Sequence, residues 1–171
     1  MAAKNNLKTV PLVFFVLVGL LACSDGFDSA KFEGTWRCFS SWTWDNDGVS
    51  VPVSYTQRAT CKRAQISSTA VLSIGDARWS ETYKGTCYTS GRELCGERTS
   101  LTLVATNDAA RQFERDKLDG RPLVSTIARL QDEVRLRITS VSETEFSGVN
   151  DEGRTVRCQR VGPAEPDQRT R

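Results

Sequence analysis

The sequence contains no histidine among its 171 residues, and this absence excludes every catalytic scheme in which an imidazole activates a serine or a cysteine. It also removes a common ligand of zinc, and no two cysteines have the short spacing that zinc sites use. Paired carboxylates are another route to acid–base catalysis, but the acidic residues of this sequence fall in predicted turns or on a solvated helix surface. We therefore predict a protein that is not an enzyme and that has no metal and no other cofactor.

A basic excess is also missing. The chain has 23 basic and 21 acidic residues, and two of the basic ones, Lys4 and Lys8, precede residue 23. The rest of the chain is balanced, which does not favour binding to nucleic acid. Long apolar runs are absent as well, because residues 12–21, LVFFVLVGLL, are shorter than the ~20 residues that span a bilayer.

The start of the chain has the organisation of a signal peptide, with a basic beginning followed by the apolar run 12–21. The tetrapeptide Leu20-Leu21-Ala22-Cys23 matches the pattern Leu-x-Ala-Cys and resembles the lipobox of bacterial lipoproteins. The resemblance implies cleavage before Cys23, diacylglycerol on its thiol, and fatty acylation, as by palmitate, of the new amino group. Several acyl chains make such anchoring stable. The implied location is the bacterial cell envelope, and Ser24 favours the outer membrane.

The chain divides into four segments. Residues 1–22 are the predicted lipoprotein signal peptide, 23–31 a lipidated linker, 32–161 a β-barrel domain, and 162–171 a flexible tail that is polar and contains two prolines. Cleavage leaves 149 residues, which is the size of one domain that buries roughly 70% of its unfolded surface.

Alternation of apolar and polar residues with period two dominates this domain and predicts antiparallel strands. It is clearest in 53–62, 99–105 and 133–139, and the segments 144–150 and 154–161 predict a terminal hairpin. Helical spacing in 107–118 predicts one short helix, capped by Thr106 and ended at Asp119-Gly120. The fold class is therefore mainly β: an antiparallel meander of about eight strands, closed into a small barrel because an open meander leaves two exposed edges.

The segment Gly34-Thr35-Trp36 at the start of the first strand is similar to the Gly-x-Trp motif of lipocalins and lipocalin-like bacterial proteins. The resemblance implies a lipocalin-like barrel in which this tryptophan closes the floor. It also implies that a basic residue of the last strand, Arg157 or Arg160, stacks on Trp36.

The five cysteines after Cys23 are expected to form two disulfides and leave one free thiol, since the implied compartment is oxidising. Cys87 and Cys95 lie symmetrically about Gly91, which predicts a bridge across one hairpin. Cys38 lies on the first strand and Cys158 on the last, so a second bridge would lock the seam of the barrel. Pairing of Cys38 with Cys61 is the competing arrangement.

Two groups of aromatic residues are the candidate binding residues. Trp79 and Tyr83 share a strand face with Glu81 and are expected to point into the barrel, either as core or as the wall of a cavity with Glu81 or Gln57 as its polar group. Trp42 and Trp44 adjoin a turn and are expected at the rim, where exposed aromatics make a hot spot for a partner.

These observations favour binding over catalysis. The leading hypothesis is an envelope-anchored, lipocalin-like protein that binds a small apolar or amphipathic ligand. Two alternatives stay open: an inhibitor or immunity protein that binds a lysozyme or a toxic effector through the barrel rim, and a scaffold in envelope assembly.

Overall fold

The computed structural model of the protein describes residues 26–46, 48–127 and 133–162. The predicted signal peptide, Cys23 and residues 163–171 of the predicted tail lie outside these ranges. Within them, every helix is too short or too polar to cross a bilayer.

The described residues form nine strands, two helices and one 3-10 turn. The turn is Ser29–Phe32, and the helices are α1 (Asp108–Lys117) and α2 (Leu123–Ile127). The strands are β1 (Gly34–Asn46), β2 (Val49–Lys62), β3 (Gln65–Ile74), β4 (Ala77–Thr86), β5 (Tyr88–Ser90), β6 (Glu93–Ala105), β7 (Glu133–Val141), β8 (Glu145–Asn150) and β9 (Thr155–Arg160).

The strands close into a barrel. Successive strands pair antiparallel except β4 and β5; β4 pairs with β6 instead, and β1 pairs with β9. Eight strands make the closed wall, and β5 is an additional short strand that pairs only with β6 among the described strands. The predicted lipocalin-like barrel of about eight strands is therefore confirmed. The predicted alternation is also present, since Val53, Ala59 and Cys61 are buried on the inner face of β2.

The floor of the barrel is built on Trp36, whose indole N–H donates to the carbonyl of Phe32 at 2.8 Å. The guanidinium of Arg160 lies 4.2 Å from the ring centroid of Trp36. It also donates to the carbonyls of Lys31, Glu33 and Glu143 at 2.9, 2.6 and 2.7 Å. Arg160 is thus the stacking residue that the lipocalin resemblance implied, because the side chain of Arg157 belongs to the opposite face of β9.

The predicted mid-chain helix is present as α1, but its predicted cap, Thr106, is wrong. The cap is Asn107, whose Oδ1 accepts from the backbone N–H of Ala110 at 3.0 Å. The same oxygen accepts from the N–H of Arg78, and Nδ2 donates to the carbonyl of Asp76. The Asn107 amide thus caps the helix and holds the β3–β4 turn at once, while the hydroxyl of Thr106 donates to the carbonyl of Arg78 instead. The predicted stop is confirmed, since the residue after Leu118, Asp119, has a φ of 53°.

Two separate apolar clusters lie inside the barrel, one toward each end. The floor core lies beneath the short strands β7, β8 and β9, and the cap core lies beneath α1 and α2. The buried members of the floor core are Phe32, Trp36, Cys38, Leu136, Ile138, Phe146 and Cys158. Those of the cap core are Val53, Leu72, Ala77, Trp79, Leu103, Ala110 and Leu123.

Two disulfides are present, and one of them was predicted. Cys38 and Cys158 are direct partners in the β1–β9 register and are bridged, so the predicted seam bridge is confirmed. In the chain-entropy model, closing a loop of this length (separation 120) stabilises the fold by ~5 kcal/mol. The second bridge joins Cys61 to Cys87 and lies beside the first residues of β3.

The predicted Cys87–Cys95 bridge is wrong, because the register of β5 and β6 differs by one residue from the one that the bridge requires. The β5–β6 turn pairs Ser90 with Glu93, which places Tyr88 rather than Cys87 opposite Cys95. Side chains of adjacent residues point to opposite faces of a strand, so the two thiols cannot meet. Cys95 is left as a buried free thiol.

We expect non-reducing peptide mapping to find Cys38 joined to Cys158 and Cys61 joined to Cys87. Cys95 should react with an alkylating reagent only after the protein is unfolded, because its side chain is buried. Cys95→Ser should leave both bridges in place. A Cys87–Cys95 peptide from the native protein would contradict the register of β5 and β6.

Candidate functional site

Between the two apolar cores, the inner face of the barrel is polar. On β1, Ser40 separates Cys38 of the floor core from Trp42, which packs against the cap core. Further polar residues at inward positions line the same region from β2, β3, β4 and β6. The set, called here the interior polar band, is Ser40, Tyr55, Gln57, Ser68, Glu81, Tyr83 and Arg98.

The centre of the interior polar band is the pair Tyr55 and Glu81. The Tyr55 hydroxyl donates to Glu81 Oε1 at 2.6 Å across β3. Burial raises the pKa of the Glu81 carboxyl above its ordinary value, while the hydrogen bond from Tyr55 and the positive charge of Arg98 act to lower it. Burial, together with the charge of Glu81, also raises the pKa of Tyr55, so Tyr55 stays protonated and acts as the donor.

Tyr83 continues the band toward β6. Its side chain is buried, burial raises the pKa of its hydroxyl, and the charge of Arg98 opposes that effect. The ring needs the space over Gly85, where an added Cβ would lie 2.7 Å from the Tyr83 hydroxyl oxygen. Arg98 lies opposite Gly85 in the register and therefore on the same inner face. A second polar contact is the bond from Gln57 Nε2 to Ser68 Oγ, 2.9 Å.

Solvent reaches this part of the interior. Tyr55, Gln57 and Glu81 point inward but are only half-buried. The pairing explains the access, because β1 pairs with β9 only along Trp36–Phe39 and β6 pairs with β7 only along Glu93–Glu97. Beyond these stretches, neither β1 nor β6 pairs with a strand on that side within the described chain, so the wall made by β7, β8 and β9 is the shorter one.

The taller wall is made by β1, β2, β3, β4 and the second half of β6, and helix α1 covers its inner face. Phe113 of α1 contacts the rings of Trp44 and Trp79, with centroid distances of 5.8 and 5.5 Å. One carboxylate oxygen, Glu114 Oε1, accepts from Trp79 Nε1 at 2.9 Å and from the N–H of Leu123 in α2 at 3.0 Å. Glu114 therefore fastens both helices to the ring of Trp79, which is fully buried as predicted.

The predicted rim pair, Trp42 and Trp44, is half-buried rather than freely exposed. Trp44 packs under Phe113, as described above. Trp42 is covered on one side by Arg154, whose guanidinium lies 3.9 Å from the ring centroid. Both tryptophans share the inner face of β1 with Trp36, so they line the entrance to the interior rather than an outward-facing rim.

The structure thus brings together some of the predicted residues and adds others. Glu81 and Tyr83 share the interior polar band with Gln57, Trp79 lies above it in the cap core, and Trp42 flanks it. Sequence reasoning missed Tyr55 and Arg98 as members of the site. The signal for Tyr55 was present, since it shares a face with Gln57, whereas Arg98 turns inward only through the irregular register between Lys84 and Gly85.

The buried polar groups of this arrangement have hydrogen-bond partners within the protein. In the described part of the chain no buried side-chain nitrogen or oxygen lacks a hydrogen-bond partner, and no group of three potential metal ligands is found. The band supplies a carboxylate, hydroxyls and an amide beside aromatic rings, so polar and apolar groups lie side by side on the inner wall.

The fold and the interior together define the class of protein: a small closed β-barrel of lipocalin-like architecture with a polar band in its interior. A search of protein-family models and a search of curated proteins both found no match to the chain.

Glu81→Gln tests the burial of this carboxyl through pH. A raised folded-state pKa means that the folded protein holds the proton more tightly than the unfolded chain. The stability from this group is therefore present at low pH and is lost as pH rises through the folded pKa. Glutamine stays neutral and still accepts from Tyr55. We expect the stability of Glu81→Gln relative to wild type to increase from about pH 4 to about pH 8, measured by urea unfolding.

The matched control is Glu143→Gln, an exposed acidic residue between β7 and β8. It should follow the wild-type curve across the same pH range. A constant stability difference between Glu81→Gln and wild type would show that Glu81 ionises as an ordinary carboxyl.

Proposed function

We propose that this protein is a non-catalytic binding lipoprotein of the bacterial envelope, and that it takes a small amphipathic ligand into the barrel between the floor core and the cap core. The observation that carries the proposal is the pair Tyr55 and Glu81, a hydrogen-bonded polar pair on the inner wall of a closed barrel that solvent still reaches. Partial burial of the Glu81 carboxylate costs free energy, and the hydrogen bond from Tyr55 and the charge of Arg98 offset only part of that cost, since the pKa of Glu81 remains raised.

The apolar part of the ligand has two suitable neighbours. Leu101 lies on the inner face of β6 opposite Tyr83 and is only half-buried, and Trp42 flanks the entrance. Their surfaces complete an apolar wall beside the polar band. An alkyl or aromatic body packed there would remove their remaining apolar area from water, at ~25 cal/mol per Å².

The polar part of the ligand is best matched by a hydrogen-bond donor, and most of all by an amine. Burial disfavours the charge on Glu81 and Arg98 offsets this effect only in part, so a further cation placed beside the carboxylate would offset more of that cost. The rings of Trp42 and Tyr55 add the attraction of aromatic faces for cations; Trp42 already holds the guanidinium of Arg154 in this way.

A partner-binding role at the barrel rim is the second candidate, and one feature favours it. The β1–β2 hairpin extends beyond β3, whose last paired residue is Ile74, and Val49 at its tip is 62% exposed. An inhibitor or immunity protein would present this tip. The partner hot spot expected at Trp42 and Trp44 is weaker support for this role, because Arg154 and Phe113 already pack on these rings.

Dodecylamine and dodecanoate, used below their micelle concentrations, test the interior site. Both carry the same alkyl chain, and only the amine complements Glu81. We expect dodecylamine to bind more tightly than dodecanoate, and Glu81→Gln to weaken the amine by about tenfold, equivalent to ~1.4 kcal/mol. Isothermal titration calorimetry measures both affinities. Tyr55→Phe removes the hydroxyl that donates to Glu81, so it tests separately what this hydrogen bond contributes to binding.

The matched control is Thr102→Val, a residue of β6 whose side chain is exposed on the outer face. It should bind both compounds as the wild type does. Equal affinity of the wild type for amine and carboxylate, or an unchanged affinity in Glu81→Gln, would rule out Glu81 as the polar group. Failure of both compounds to bind would turn the proposal toward a partner at the hairpin tip.

The envelope anchor rests on the match of Leu20-Leu21-Ala22-Cys23 to the lipobox. Cys23→Ser removes the thiol that would carry diacylglycerol, so we expect the protein to leave the membrane fraction and to remain unprocessed. Fractionation and intact-mass measurement after expression in a bacterium check both effects. A Cys23→Ser protein that matures to the same mass and stays with membranes would contradict the anchor.

A further inference from the structure

The outer surface of the taller wall carries several cations, and its one outward acidic strand residue, Asp45, lies at the hairpin end of β1. Outward positions on β1, β2, β3, β4 and the second half of β6 include no aspartate or glutamate along 35–43, 50–62, 65–73, 78–86 and 100–104. Because acidic and basic residues are balanced after residue 22, this surface is a local segregation of charge. Its cations, which define the basic face, are Arg37, Arg58, Lys62, Arg78 and Lys84.

Two of these cations are placed directly against each other. Arg37 and Arg58 are partners in the β1–β2 register. Like charges directly opposite on neighbouring strands destabilise a sheet, and in the described chain no carboxylate forms an ion pair with Arg37, Arg58 or Lys84. The fold therefore gains nothing from this pairing, which is the pattern expected where an external anion supplies the missing charge.

A shallow depression of about 240 Å³ lies on the basic face, between Arg58 and Lys84. Hydroxyl groups surround it: Thr69 pairs with Thr82 across β3 and β4, and Thr60 pairs with Ser67 across β2 and β3. All four hydroxyl side chains line the depression together with the two cations. Cationic and hydroxyl groups thus share one open surface.

This combination specifies the ligand more closely than charge alone does. Cations attract any anion, but a hydroxyl both donates and accepts hydrogen bonds, so a lining of hydroxyls also matches a ligand that carries hydroxyls itself. An apolar row borders the depression. Phe39, Val71 and Val104 are 48%, 47% and 56% exposed, and Thr56 and Ser80 join them in one register across the sheet. Sugar rings present hydroxyl edges and apolar C–H faces, and charged sugars add the anion.

We propose that the basic face binds an anionic glycan, a sugar chain that bears carboxylate, phosphate or sulfate groups. The charged groups contact Arg37, Arg58 and Lys84, the sugar hydroxyls contact Thr60, Ser67, Thr69 and Thr82, and ring faces pack on the apolar row. This site lies on the opposite side of the wall from the interior polar band and does not depend on a ligand inside the barrel.

Three polymers of matched length separate charge from sugar chemistry. Oligogalacturonate carries carboxylates and hydroxyls, a neutral glucose oligomer carries hydroxyls only, and polyphosphate carries charge without hydroxyls. We expect the purified protein to bind oligogalacturonate more tightly than either of the others, by calorimetry at moderate salt. Arg58→Gln/Lys84→Gln should weaken oligogalacturonate by about tenfold or more. Thr69→Val/Thr82→Val, which leaves the charge unchanged, should weaken oligogalacturonate but not polyphosphate.

The control for net charge is Arg115→Gln/Lys117→Gln on the exposed surface of α1, which removes two cations elsewhere. It should retain oligogalacturonate binding. Equal losses in the two charge variants, or equal binding of polyphosphate and oligogalacturonate, would overturn the proposal, and so would the absence of binding. Tighter capture by vesicles of anionic phospholipid than by oligogalacturonate, insensitive to Thr69→Val/Thr82→Val, would overturn it in favour of a membrane surface.

Discussion

Closure of β1 against β9 is the constraint on which the rest of the structure depends. Without it, the strands would form an open sheet with two bare edges and no enclosed interior. Two side-chain interactions reinforce the backbone pairing of these strands: the Cys38–Cys158 bridge, set directly across the register, and Arg160, which stacks on Trp36 and donates to three backbone carbonyls. The guanidinium satisfies the carbonyls that the turning chain leaves at the floor, so one side chain replaces several backbone hydrogen bonds.

The unequal height of the wall decides what the interior contains. Where β7, β8 and β9 face the long strands, apolar side chains meet from both sides and the floor core forms. Above them the long strands lack opposing strands, and α1 and α2 supply the apolar partners of the cap core. The interior polar band lies at the change between the two regions, where Tyr55 and Glu81 are neither fully enclosed nor fully hydrated. This boundary is the part of the interior in which we propose that a ligand binds.

Most of the barrel could be predicted from local patterns, while the site depended on register. Period-two alternation identified the strands, and helical spacing identified α1, because both patterns belong to single segments. Pairing of Cys38 with Cys158 followed from strand order alone. Pairing of Cys87 with Cys95 failed because a turn shorter by one residue reverses which side chains face each other, and a symmetric spacing does not specify the turn. The inward turn of Arg98 depends on an irregularity in β6 for which its own segment gives no signal.

The attachment of α1 through Glu114 bears on the rates of ligand entry and exit rather than on ligand affinity. The contacts of Glu114 with Trp79 and Leu123 join protein groups to each other, so breaking them costs the same whether or not the interior holds a guest. A barrier of that kind slows entry and exit by one common factor and leaves the equilibrium occupancy unchanged. If a ligand enters the barrel beneath α1, as the proposed function requires, its contacts with the interior polar band would determine its affinity. The contacts of Glu114, a carboxylate that the ligand would not touch, would add a common barrier to its entry and its exit.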